Sequence, residues 1–196
     1  DMLDEMLKEG CSCNYFWTQG SPLTLDEFRK KYPQIKRVDN KSDILNDDTI
    51  DMILISSIPK DRANLSIDAM KAGKDVMVDK PGCTTLEQLN NLKQTVKDTG
   101  KIWSINFSER FHVAAVTKAE ELVAEGKIGK VKQTIGTGPH RQGNYERPDW
   151  FYDRDSYGGI ITDIGSHQIH QFLVFTNSNE AKVNHALVEN TTKKEF

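Results

Sequence analysis

The chain has 196 residues, of which 37% are hydrophobic and 28% are charged, and its formal net charge is −3. This composition is typical of a globular protein, and the length predicts one large domain or one and a half ordinary domains. The small net charge gives no electrostatic reason to expect a nucleic acid or an anionic membrane as partner. No apolar run reaches the roughly twenty residues of a membrane span.

The first half of the chain alternates between helical and strand patterns. Helical periodicity, a capping box at Thr24–Glu27 and a first-turn proline at Pro59 predict helices at residues 1–9, 24–32, 42–46, 59–72 and 84–98. Short apolar runs bounded by turn residues predict strands at residues 11–17, 50–55, 75–78 and 101–107. Strands joined through helices favour right-handed crossovers, so we predict an α/β fold with a doubly wound parallel sheet.

After residue 107 the pattern changes. We predict a helix at 113–125, a strand at 131–137, a long loop at 138–155, a helix at 160–175 and a strand at 182–189. A loop of this length is usually functional or disordered, and the aromatic residues at 150–152 argue against disorder. A domain boundary near residue 108 would separate the nucleotide-type sheet from the start of an α+β domain with an open sheet.

The cysteines and the chain ends bear on the protein's location. The three cysteines lack the spacing of a disulfide framework or a zinc site, so we predict a reducing, cytoplasmic location. The chain begins at Asp1, without methionine, inside what reads as an amphipathic helix. We therefore expect a fragment, for which a leader peptide stays an open possibility.

The segment from Gly158 to His170 carries the strongest catalytic pattern. Two glycines open it, an apolar run follows, and Asp163 and His167 stand four residues apart. On a helix this spacing places both side chains on one face. A carboxylate next to a histidine can fix the tautomer of the ring and raise its basicity, which suits a general base. Two polar neighbours on a solvated helix face would show the same spacing, so both interpretations stay open.

A second candidate site follows the predicted strand at 75–78, where the chain reads Asp79-Lys80-Pro81-Gly82. Ligands of open parallel sheets bind outside the carboxyl ends of the strands. A lysine at such an end is suited to contact a ribose or a substrate hydroxyl. Lys-Pro-Gly is also ordinary turn chemistry, so a surface turn is the alternative.

Two weaker signals are rejected. Gly136-Thr137-Gly138 matches part of a dinucleotide-binding fingerprint, but a proline and an arginine follow it and no βαβ unit surrounds it. Asp163, His167 and His170 could in principle hold a metal ion. Structural zinc sites have a recognisable ligand spacing that these residues lack, so we predict no metal.

Three segments together resemble the Gfo/Idh/MocA family of NAD(P)-dependent oxidoreductases, which act mainly on sugars and polyols. Residues 69–81 read Ala-Met-Lys-Ala-Gly-Lys-Asp-Val-Met-Val-Asp-Lys-Pro, similar to the family's Ala-x-x-x-Gly-Lys-x-Val-x-x-Glu-Lys-Pro. Asn106 with Arg110-Phe111 resembles the entry into the family's substrate domain. Trp150, followed by the segment 157–167, resembles the Trp…Gly-Gly…Asp-x-Gly-x-His signature.

The resemblance implies roles for individual residues. Residues 1–107 would form a Rossmann-like dinucleotide-binding domain, and residues 108–196 part of an α+β substrate and dimerisation domain. Lys80 would contact the nicotinamide ribose and the reacting hydroxyl, His167 would be the general base, and Asp163 would bind substrate and orient that base. The implied cofactor-binding residues are Ser56, Ser57, Ile58, Asp79, Lys80, Pro81 and Asn106. The implied substrate-binding residues are Arg110, Arg141, Trp150, Tyr152, Asp163 and His167, although the loop aromatics could equally anchor the loop to the core.

The chain departs from the family pattern in three places. The opening strand and the Gly-rich phosphate loop are missing from the sequence, so as given the chain is not expected to bind NAD well. Asp79 stands where the family has glutamate, and residues 57–62 read Ser-Ile-Pro-Lys-Asp-Arg where it has Thr-Pro-Asn-x-x-His. No acid or arginine near Trp17 distinguishes a ribose 2′-hydroxyl from a 2′-phosphate, so NAD and NADP both stay possible.

We therefore predict an oxidoreductase that transfers a hydride between a sugar or polyol hydroxyl and NAD or NADP, and that forms a homo-oligomer through the second-domain sheet. One alternative is an NAD-dependent glycosidase or lyase that oxidises the sugar transiently. The other is a non-catalytic relative that binds a sugar or a nucleotide, motivated by the missing phosphate loop.

Overall fold

The protein is described from a computed structural model that covers residues 2–138 and 147–189. In these residues five short strands form two parallel sheets. The strands are β1 (Tyr15–Phe16), β2 (Lys36–Arg37), β3 (Met52–Ile55), β4 (Asp75–Asp79) and β5 (Trp103–Asn106). β1 pairs with β2, and the second sheet has the order β3-β4-β5, with every pairing parallel. The predicted parallel α/β architecture is confirmed.

The helices of the first half begin and end within a few residues of the predicted positions. They are α1 (Met2–Lys8), α2 (Leu25–Lys31), α3 (Lys41–Leu45), α4 (Pro59–Lys71) and α5 (Leu86–Thr99). Pro59 starts α4, and the Thr85 hydroxyl caps α5 by accepting a bond from the Gln88 N–H. At α2 the capping-box prediction is wrong, because the Thr24 side chain makes no capping hydrogen bond. The predicted strand at 11–17 shortens to the two residues of β1.

The three-stranded sheet is covered on both faces. Successive residues of β3 point to opposite faces, so each face contributes to a different hydrophobic cluster. Ile53 and Ile55 belong to a core cluster with α4, α5 and the fully buried valines of β4. Leu54 instead contacts a second cluster, which contains Leu3 of α1 and Tyr32 after α2. Each fully buried aliphatic side chain contributes about 1.5–3 kcal/mol. These two clusters fix the sheet between helix layers and so hold the carboxyl ends of β3, β4 and β5 in place.

The second half is mainly helical. It contains α6 (Ser108–Phe111), α7 (Ala114–Ala124), a 3₁₀ helix (Asp149–Phe151), α8 (Arg154–Tyr157), a π-helical turn (Ile161–Gly165) and α9 (Ser166–Phe175). The predicted helix at 160–175 is therefore present, with a wide turn at its start. No helix in residues 2–138 and 147–189 is long and apolar enough to cross a membrane.

The two strands predicted in this half, at 131–137 and 182–189, are wrong: neither segment is a strand in the structure. Their apolar residues Ile135, Val183 and Leu187 are largely exposed. A strand needs a hydrogen-bonded neighbour, and neither segment has one among the described residues. The local sequence of these two segments therefore did not suffice to predict their structure. The domain boundary near residue 108 stays a prediction.

Candidate functional site

The site forms at the carboxyl edge of the three-stranded sheet. Because β3, β4 and β5 are parallel, the residues that follow them leave the sheet at the same edge. Asp79 of β4 lies opposite Asn106 of β5, so Lys80 and Phe107 are the next residues on adjacent strands. The predicted location of Lys80, just beyond the end of a parallel strand, is therefore observed.

Lys80 contacts a residue that lies 83 positions later in the chain. Its Nζ donates a hydrogen bond of 2.5 Å to Oδ1 of Asp163 in the π-helical turn. The two side chains are only 19% and 17% exposed, so this ion pair is largely shielded from water. The sheet edge and the later helix thus meet at these two residues.

Tyr157 holds the other oxygen of the same carboxylate. Its hydroxyl donates to Oδ2 of Asp163 at 2.9 Å, and its side chain is buried. Burial and the carboxylate raise the pKa of the Tyr157 hydroxyl far above its ordinary value, so the phenol remains a neutral donor. Gly158 and Gly159 follow with φ of 86° and 87°, a region that favours glycine. A Cβ at Gly158 would also lie 2.9 Å from the methyl group of Thr84.

His167 lies in the first turn of α9 and is 6% exposed. Its ring meets Phe107 edge-on, with 6.0 Å between ring centroids, and its Nδ1 is buried without a hydrogen-bond partner in the described part of the chain. Burial first, and the Lys80 ammonium second, lower the pKa of His167. The imidazole is therefore neutral near pH 7 and able to accept a proton.

Asp163 and His167 share the helix but make no hydrogen bond with each other in the described structure, because the carboxylate is taken by Lys80 and Tyr157. The orientation of the base by Asp163 stays a prediction. Phe107 also stacks on His170, with 4.3 Å between centroids. Phe107, which follows β5 at the sheet edge, thus contacts both histidines of α9.

Arg62 of α4 was not among the predicted site residues. Its Nη1 donates to the carbonyl oxygens of Asp79, Lys80 and Pro81, at 3.1, 2.5 and 3.1 Å. Its Nε donates to the carbonyl oxygen of Ser57 at 2.8 Å. The guanidinium therefore connects the loops after β3 and β4. In the sequence, residue 62 stands out only as a departure from a family pattern. Tyr157 stands out only as the residue before two glycines.

The predicted cofactor-binding residues lie along the same edge. Ser56 is exposed, Ser57 is half-buried, and Ile58 precedes the first residue of α4. Asp79 accepts a bond from the Lys80 N–H at 3.1 Å, Pro81 follows Lys80 through a cis peptide bond, and Asn106 is half-buried at the end of β5. Hydroxyl, amide and ammonium donors thus line one side of the sheet.

Only some of the predicted substrate-binding residues have contacts that connect them to Tyr157 and the Lys80–Asp163 ion pair. Trp150 and Tyr152 flank the buried Phe151, at 6.1 and 5.7 Å between ring centroids, and Phe151 packs on Tyr157 at 4.5 Å. This packing agrees with anchoring by Phe151. Arg110 forms an ion pair with Glu120 of α7. Arg141 lies outside the described residues, and those that are described hold no cluster of side chains suited to a metal ion.

Two family models match consecutive parts of this chain. Residues 23–107 match the oxidoreductase family described as having an NAD-binding Rossmann fold. Residues 116–195 match the GFO/IDH/MocA C-terminal domain. The chain belongs to the Gfo/Idh/MocA oxidoreductase family.

Within the Gfo/Idh/MocA family, a solved structure described as that of an oxidoreductase from Erwinia carotovora atroseptica SCRI1043 is 40% identical, with a TM-score of 0.86. It aligns with 90% of this chain and 52% of its own. The D-xylose dehydrogenase of Paenarthrobacter nicotinovorans is 30% identical over 63% of this chain and 33% of its own length. The 1,5-anhydro-D-fructose reductase of Ensifer adhaerens is 27% identical over 75% of this chain and 44% of its own. The chain thus spans between a third and about half of these Gfo/Idh/MocA proteins.

Proposed function

We propose that the protein is an oxidoreductase that transfers a hydride between a sugar or polyol hydroxyl and NAD or NADP. The observation that carries the proposal is the 2.5 Å ion pair between Lys80 at the sheet edge and Asp163 on the later helix. The pair joins the Lys80 ammonium to the helical segment that carries His167, and this ammonium lowers the pKa of the imidazole. The substrate class is supported by the sugar-active relatives named above.

The residues present fit a dinucleotide at the sheet edge. The carboxyl ends of parallel strands are where such ligands bind, and this edge offers the hydroxyls of Ser56 and Ser57 and the amide of Asn106. These groups suit the hydroxyls and the carboxamide of a nicotinamide riboside. When bound, the cofactor supplies the hydride acceptor or donor, and the protein supplies position and proton transfer.

The chain's own residues divide the remaining tasks. The neutral His167 accepts the proton of the substrate hydroxyl during oxidation and returns it during reduction. The Lys80 ammonium donates a hydrogen bond to the developing alkoxide, which a charged donor in a shielded site stabilises strongly. Asp163 balances the charge of Lys80, and Tyr157 holds the second oxygen of that carboxylate. Asp163 is also expected to bind a hydroxyl of the sugar.

The test combines cofactor binding with turnover. NADH and NADPH are each titrated into the full-length gene product while nicotinamide fluorescence is recorded, and a panel of sugars and polyols that includes D-xylose is then assayed with the oxidised cofactors, NAD⁺ and NADP⁺, as hydride acceptors. We expect saturable binding of one reduced cofactor and formation of that cofactor in proportion to sugar oxidised. Product formed without accumulation of reduced cofactor would instead favour redox-assisted glycosidic cleavage. An absence of any saturable fluorescence change would favour a non-catalytic relative.

A further inference from the structure

The side chain of Arg62 is 7% exposed, yet it makes no ion pair in the described residues. All four of its hydrogen bonds go to backbone carbonyl oxygens, one in the loop after β3 and three in succession from the last residue of β4 onward. Burial lowers the pKa of the guanidinium, while the more distant carboxylates of Asp79 and Asp163 act in the opposite direction. A charge is thus held inside the fold by backbone dipoles.

The arrangement does more than fill space in the core. An apolar side chain at position 62 would leave the carbonyl oxygens that Arg62 now bonds without this donor, which is costly for buried acceptors. A guanidinium suits the position because its donors stand on separate nitrogen atoms: Nε bonds Ser57 while Nη1 bonds the end of β4, whereas all donors of a lysine stand on one nitrogen. Here the acceptors are the carbonyls of Asp79, Lys80 and Pro81, which bracket the ammonium-bearing residue.

We propose that Arg62 is a positioning residue for Lys80. The four hydrogen bonds fix the backbone from which the Lys80 side chain extends, so that Nζ reaches Asp163 and the reacting hydroxyl in one geometry. Lysine has a long and flexible side chain, and a shift of its Cα is passed on to the ammonium group. The inference rests on the proposed role of Lys80 in hydride transfer and adds the residue that supports it.

The first experiment replaces Arg62 with lysine, which keeps the charge but loses the fork. Arg62→Lys is expected to lower kcat by about 10- to 100-fold, the effect of a misplaced catalytic group. KM for the cofactor should change far less than kcat. Arg29→Lys is the matched control, since Arg29 is exposed on α2, and it should retain the wild-type kcat. A wild-type kcat in Arg62→Lys would overturn the proposal.

The second experiment separates positioning from general structural support. Arg62→Lys is combined with Lys80→Ala, and the residual rates are measured at high enzyme concentration. Because Arg62 acts through Lys80, the double variant should turn over less than about twofold more slowly than Lys80→Ala alone. Full multiplication of the two effects would contradict the inference. If Lys80→Ala itself turned over at the wild-type rate, the proposed function of Lys80 would fail, whatever the result at position 62.

A folding control completes the test. Thermal unfolding is recorded for Arg62→Lys and for a second variant, Arg62→Gln, which is uncharged and can still donate to one or two carbonyls. We expect both to fold and to be assayed below their unfolding midpoints, with Arg62→Gln also reduced in kcat. Failure of both variants to fold would assign Arg62 a structural role and would overturn the proposal.

Discussion

The ion pair between Lys80 and Asp163 contributes little net free energy to stability. Both side chains are more than four-fifths shielded, so each charge loses most of its hydration when the protein folds. In such pairs the attraction roughly offsets the desolvation penalty, and apolar replacements are often tolerated. The presence of these charges is therefore better explained by chemistry at the sheet edge.

Replacing Lys80 tests this explanation directly. Lys80→Ala is expected to lower kcat/KM by about 100-fold or more, the effect of removing one charged donor from a developing oxyanion. Removal of the ammonium leaves the shielded Asp163 carboxylate with only the Tyr157 hydroxyl bond described above, so the unfolding temperature should fall, and the rates are compared below the unfolding midpoint. Lys93→Ala is the control, because Lys93 is an exposed residue of α5. Wild-type kinetics in Lys80→Ala would remove this residue from the site.

The pKa of His167 predicts the pH dependence of the reaction. Burial and the Lys80 ammonium disfavour the protonated ring, so its pKa lies below the ordinary value of about 6.5. Oxidation requires the neutral ring, so kcat/KM should be constant near neutral pH and fall as the pH drops through that lowered pKa. The same shift makes protonation costly to the folded state, so stability also falls in acid. Rates for oxidation that stay flat from about pH 5 to 9 would argue against His167 as the base.

At the scale of elements, α5 shows how a helix is fixed to the sheet. Leu92 is fully buried in the core cluster with β4, whereas Leu86, in the first turn, is 78% exposed. Leu92→Ala is expected to lower the free energy of unfolding by about 2–5 kcal/mol, since it removes buried apolar area and leaves a cavity. Leu86→Ala should change it by less than about 0.5 kcal/mol. Urea denaturation of both variants measures the difference, and equal losses would contradict the assigned packing.

The sequence predicted the elements that local patterns determine and missed those that depend on neighbours. Pro59 marks the start of α4 correctly, and the helix predicted from residue 84 begins two residues later, because a first-turn proline and a threonine cap act within a few residues. The segments that contain Ile135 and Val183 were predicted as strands from their local composition, but strand formation depends on a partner elsewhere in the chain. The π-helical turn carries no recognisable signal in its sequence.

At the scale of the whole molecule, the order of motifs along the sequence predicted where the site lies. The contacts between residues distant in the sequence were not predicted. The family resemblance assigned Lys80 and Asp163 to one site, and their side chains are in contact. The catalytic roles of both residues stay predictions. Arg62 was not proposed, because its partners are backbone carbonyls, which have no sequence identity. Tyr157 was missed for a related reason. Its role depends on the turn at Gly158 and Gly159 that directs its hydroxyl toward Asp163.

The predicted homo-oligomer belongs to this scale and stays a prediction. Ile135, Val183 and Leu187 expose apolar surface in the part of the chain where the second-domain sheet was expected. We expect sedimentation velocity of the protein to give the mass of two or more chains. A single monomeric species over a wide range of concentrations would contradict the prediction.

The π-helical turn at Ile161–Gly165 makes the position of Asp163 sensitive to the number of residues in the turn. A π-helical turn holds one residue more than the corresponding stretch of α-helix. Deleting Ile164, which lies between Asp163 and His167, would rotate Asp163 by about 100° around the axis relative to His167, the angle between successive α-helical residues. A single-codon deletion, with no change to either side chain, would thus dismantle the contact with Lys80 while the imidazole kept its place.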